Sequence, residues 1–176
     1  GVVWIAVTPA EQLVVYREMY VSKVTATDLA DRILEAEDGE KIRYGVLDSS
    51  LWHNRGDTGP SLAEQMIMKG CRWRPSDRSK GSRVAGKNEL HRRLQIDEFT
   101  EEPRLVFFNN CVNTISQLPA LPLDKNNPED VDTNAEDHLY DALRYGVMTR
   151  PRSSLFDFDP NNHRTGFQVS DAKFGY

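Results

Sequence analysis

The chain has 176 residues, 39% hydrophobic and 28% charged, which is enough for one core and too short for two. No apolar run approaches the ~20 residues a membrane span needs, and the opening GVVWIAV lacks the basic flank and cleavage site of a secretory signal. The net charge of −5 hides a polarity: residues 69–93 hold nine basic residues against two acidic ones, so that segment is +7 and the remainder −12. Two isolated cysteines, Cys71 and Cys111, form no CxxC or Cys/His pattern. That spacing argues against structural zinc and makes a reducing, intracellular compartment the default.

Residues 2–7 (VVWIAV) are a continuous apolar run and predict a buried strand. A short turn leads to a second strand over 13–21, and the two predict an antiparallel hairpin. Thr25, with Asp28 three residues later, resembles a capping box and starts a helix that Asp38-Gly39 ends. Residues 42–47 (IRYGVL) read as a strand with Asp48 at its end. Residues 48–60 read as a loop. Ser61 and Glu64 make a capping box for a helix over 61–69, and CRWR at 71–74 predicts a short strand.

The basic stretch from Pro75 to Ala85 has almost no apolar residue and reads as a mobile loop. A helix over 87–96, a strand over 105–108 and a helix through Val112, Ile115 and Leu118 follow. Residues 124–134 are an acidic loop. Residues 134–147 (NAEDHLYDALRYGV) carry a helical stripe of Leu139, Ala142, Leu143 and Val147. After Arg150-Pro151 no period remains, so 151–176 read as a tail, docked through Phe156, Phe158 or Phe167 or else partly disordered.

The last helix concentrates specific polar residues. Asp137 and Asp141 are four apart and share one face, with His138 beside them. Asp48 and Asp141 are the strongest candidate pair. A strand end and a helix face are places from which carboxylates converge on metal ions, and oxygen donors without cysteine imply Mg²⁺ or Mn²⁺. The plain alternative is that Asp48 caps its turn and Asp141 is solvated. His138 could assist a metal water or touch phosphate, or could simply pair with Asp141. Asp137 and Glu136 read as first-turn acids favoured by the helix dipole. Glu18, inside the second strand, could face a site or pair with an arginine. Arg72, Arg74, Arg78, Lys80, Arg83 and Lys87 suit contact with a phosphate backbone, where neutralised charge releases counterions. Their alternative role is to balance an acidic body.

Over residues 1–150 the chain resembles the nuclease domain of the large terminase subunit of tailed bacteriophages. The resemblance rests on YREMY at 16–20, KIRYGVLDSSLW at 41–52, GSRVAGKNELHRRL at 81–94 and PEDVDTNAEDHLYDALRYG at 128–146, in that order. It implies an α/β, RNase H-like mixed sheet flanked by helices. It implies an endonuclease using Mg²⁺ or Mn²⁺, with two ions, to cut concatemeric double-stranded viral DNA during packaging in the host cytoplasm. Asp48 then matches the second catalytic carboxylate, Asp141 the third, and His138 a histidine one turn before it. The portal protein and the small terminase subunit become possible partners.

The family's first catalytic aspartate lies on a strand preceding the part that matches VVWIAV, and the sequence given starts at Gly1. The expectation is a sheet lacking its first central strand, between the hairpin and the Asp48 strand, and weak cleavage by this chain. Two rivals stand: another RNase H-like nuclease such as a junction resolvase, and a noncatalytic module that binds DNA or the portal.

Overall fold

Alternating side chains write the first two strands. In the computed structural model, which describes residues 1–53, 59–125, 127–132 and 135–149, β1 is Val2–Val7 and β2 is Leu13–Met19. They pair antiparallel, with a bulge between Trp4 and Ile5. Val3, Ile5, Val7, Leu13 and Val15 face one core, while Trp4, Tyr16 and Met19 face the other. This period of two lets one hairpin separate two layers of helices. The expected tail contacts of 151–176 lie outside the described residues.

On the Trp4 side sit α1 (Ala26–Glu37) and α2 (Leu62–Lys69), packed together through Ala30, Ile33 and Met66. Both expected N-terminal caps are present. Thr25 accepts from the Asp28 backbone N–H, and Ser61 and Glu64 close a complete capping box. Asp38 ends α1 in the left-handed region at φ 42°, as the Asp-Gly pair foretells.

The short strands β3 (Gly45–Leu47) and β4 (Trp73–Pro75) pair parallel. Gly45 is required there because the Trp73 ring lies where a Cβ would be. The expected strand over 42–47 is thus confined to its last three residues. Beyond it, residues 49–52 wind into a 3-10 turn that reading 48–60 as a loop does not anticipate.

On the other face, α3 (Ser82–Leu94), α4 (Val112–Gln117) and α5 (His138–Met148) cover the hairpin, with β5 (Leu105–Phe107) parallel to β2. Leu139, Leu143 and Val147 of the expected apolar stripe are fully buried.

One expectation fails here. Residues 82–85, read as mobile loop, are the first turn of α3, because this turn packs on α5 and its cations find partners in the acidic segment. The expected helix through Val112 and Ile115 is present as α4; both side chains are exposed, and the helix is held by polar bonds described below.

Among the described residues the strands form two sheets, β1-β2-β5 and β3-β4. Helix α5 packs against both β1 and β3 and so bridges them. Antiparallel pairing in the hairpin and parallel pairing of β2 with β5 and β3 with β4 agree with the expected mixed sheet.

Candidate active site

Asp48 leaves β3 at the head of a 3-10 turn and does cap it, with Oδ1 accepting from the Ser50 backbone N–H at 2.7 Å. Two buried serines fix the turn, the Ser49 N–H donating to Ser76 Oγ at 3.0 Å. The other oxygen, Oδ2, accepts from the Tyr145 hydroxyl at 2.9 Å. Burial pushes the Asp48 carboxyl upward, but the Ser50 and Tyr145 bonds and the Arg78 charge outweigh it and hold it below the usual carboxylate range. Capping and site formation are therefore compatible in one side chain.

Tyr145 belongs to α5, which also carries Asp141 one turn earlier. Arg144 donates to Asp141 Oδ1 from Nε at 3.0 Å and Nη2 at 2.8 Å. Its guanidinium also lies 4.5 Å from the centre of the Tyr145 ring. Tyr145 is pushed far upward, first by burial, then by the Asp141 charge and its bond to Asp48. Both candidate carboxylates therefore act on one phenol. The alternative of a solvated Asp141 does not hold: its side chain is 21% exposed and ion-paired.

Arg83 enters the same cluster from α3. Its Nε donates to Asp130 Oδ2 at 2.9 Å, and its other nitrogens lie 3.8 Å from Asp137 and 3.7 Å from Asp141. Asp137 is the N-cap residue of α5 but caps nothing with its side chain, and it is buried. Its carboxyl is pushed up, first by burial and then by the Asp141 charge, with Arg83 opposing. The first-turn-acid reading of Asp137 gives way to this buried pairing. Glu136, just before the helix, bonds to the Tyr20 hydroxyl.

His138 opens α5 and is exposed, and no side-chain hydrogen bond from it to Asp141 or to another described residue is seen. Glu18 turns away from this cluster. Its carboxylate accepts from the backbone N–H and side chain of both Asn113 and Thr114, capping α4 from β2. That resolves its open role as structural.

The six cations divide by environment. Arg72, Arg74, Arg78 and Lys80 are exposed, and Arg74 lies 4.3 Å over the Tyr44 ring. Lys87 is buried and donates to the carbonyls of Pro128 and Glu129 at 3.3 and 3.0 Å. With Arg83 it ties the acidic segment down onto α3.

The chemistry of the donors suits a hard divalent cation. The hydrogen bonds and ion pairs of Asp141 with Arg144 and Arg83 fall on Oδ1. No group of three or more His, Cys, Asp or Glu side chains with metal-binding geometry occurs among the described residues.

The chain is similar to a solved structure described as the P22 large terminase nuclease domain, with a TM-score of 0.58, 21% identity, and coverage of 80% of this chain and 69% of that one. The chain shares the fold of a terminase nuclease domain. That shared fold agrees with the expected mixed α/β sheet flanked by helices. No protein-family model and no curated protein matches the chain.

Sequence reading missed Tyr145, Arg144 and Asp130. A signal existed for two of them: Arg144 and Tyr145 are three and four residues after Asp141, which a helix places on its face.

Proposed function

We propose that this chain is a metal-dependent endonuclease domain acting on double-stranded DNA, with the fold of the P22 terminase nuclease domain as its first support. The observation that carries the reading is the joining of Asp48 and Asp141 through Tyr145 and Arg144 at the end of β3. A helix and a distant strand end have been brought together to present two carboxylates, each with acceptor capacity left over.

Asp48 and Asp141 would hold Mg²⁺ or Mn²⁺, and the reading takes two ions. Such ions supply an activated water and neutralise charge on the scissile phosphate and the leaving oxygen. The protein's part is to keep Asp48 ionised and to orient both carboxylates. His138, exposed at the start of α5, would contact phosphate or the attacking water. Arg72, Arg74, Arg78 and Lys80 would track the backbone. Arg83 and Lys87 act on the duplex indirectly, by holding the acidic segment against α3. The biological setting would be the cutting of concatemers during phage packaging, with the portal and the small terminase subunit as partners.

Titration calorimetry with Mn²⁺ tests the reading. Wild-type chain should bind, and Asp48→Asn and Asp141→Asn should each lose binding while keeping their circular dichroism. Equal heats from all three would refute it and favour a noncatalytic DNA-binding module. A supercoiled plasmid and a four-way junction, assayed side by side, separate a packaging-type nuclease from a resolvase.

A further inference from the structure

We propose that Tyr145 is the positioning residue for Asp48, fixing its carboxylate for metal, an inference that rests on the nuclease reading above. Asp48 follows a strand of only three residues and would otherwise rotate about its side-chain bonds. Ser50 fixes one oxygen at 2.7 Å and Tyr145 the other at 2.9 Å, so the carboxylate plane is defined at both ends. A carboxylate has about four lone-pair sites, and these two bonds leave the rest for an ion.

Tyr145 is itself held. The Arg144 guanidinium lies 4.5 Å from its ring centre. Arg144 is 3% exposed, and its stem fills the space left by Gly86, where a Cβ would lie 2.5 Å from Cγ. Ring, guanidinium and Asp141 are thus placed by packing between α3 and α5.

The bond is not the sole tie between β3 and α5. The Tyr44 hydroxyl already meets Thr149 Oγ1 at 3.0 Å next to β3, and α5 touches both β1 and β3. The Tyr145 hydroxyl, aimed at the candidate ligand beside these other ties, is placed to orient it. Partners of ligating carboxylates typically change metal affinity or activity by about 10- to 100-fold when removed.

The test is Tyr145→Phe, which keeps the ring on which Arg144 rests. Mn²⁺ affinity is read by calorimetry below the onset of melting, so lost stability cannot mimic lost binding. Plasmid nicking is read alongside as kcat against KM. The expected result is Mn²⁺ binding weakened about 10-fold or more, a lower kcat and an unchanged KM for DNA. Unchanged Mn²⁺ affinity in Tyr145→Phe, with binding lost in Asp48→Asn, would overturn the positioning role and leave the nuclease reading standing. Equal binding by wild type and Asp48→Asn would overturn both.

Discussion

Replacing Glu18 by alanine would remove four hydrogen bonds at once. Two come from the backbone N–H groups of Asn113 and Thr114 at 2.8 Å, one from the Asn113 side chain at 2.8 Å and one from Thr114 Oγ1 at 2.6 Å. The N-cap residue of α4, Cys111, offers no side-chain cap, so Glu18 supplies it from β2. Loss of a cap costs ~0.5–2 kcal/mol. Thr114 is 1% exposed, so its stranded hydroxyl adds a buried unsatisfied group at ~1–3 kcal/mol. The contributions overlap, and ~3 kcal/mol is the expected loss, or a Tm fall of roughly 6–12 °C in a domain of this size.

The pH dependence has a definite sign. Burial raises the Glu18 carboxyl, but the bonds from Thr114 and Asn113 outweigh it and the net shift is downward. The stabilisation is therefore full above the unfolded value and is lost as pH falls through the folded one. Urea melts of wild type and Glu18→Ala from pH 7 to pH 3 would show the gap closing in acid. A difference under ~0.5 kcal/mol at pH 7, on the scale of an ordinary surface substitution, or a gap that ignores pH, would refute the capping role.

Other outcomes follow from the same geometry. Asp137 is pushed up by burial and by Asp141, so its contribution is full at low pH and lost as pH rises through its folded value. Asp137→Asn should therefore raise Tm at pH 7.5 relative to wild type, and the gain should vanish toward pH 4. Gly86→Ala sets a Cβ 2.5 Å from Arg144 Cγ and 2.8 Å from Cδ, and overpacking of ~1–3 kcal/mol should show as a lower Tm. Arg74→Ala or Arg78→Ala should reduce the salt slope of DNA binding by about 0.9 per lost phosphate contact. Lys87→Ala, whose amine is spent on the carbonyls of Pro128 and Glu129, should change stability more than that slope.

What was legible in the sequence had local causes. The β1–β2 hairpin follows from alternation and the Ser61–Glu64 box from spacing, and the stripe of Leu139, Leu143 and Val147 is helical arithmetic. The position of Asp48 at a strand end was equally local. What failed needed contacts across the chain. Residues 82–85 lack an apolar period, yet they turn into helix because Arg83 reaches Asp130 across 47 residues. Glu18 looks anomalous in a strand until α4 is placed beside it, 95 residues on. The sequence pointed from Asp48 to Asp141, while the contact Asp48 makes with α5 is through Tyr145.

In the proposed function Asp48 and Asp141 share a metal site. Crystals soaked in Mn²⁺ and measured at the manganese absorption edge test it most directly. The expected result is anomalous density liganded by Asp48 and Asp141, with the Tyr145 hydroxyl still on Asp48. Density elsewhere, or none in a crystal whose two carboxylates remain open to solvent, would contradict it.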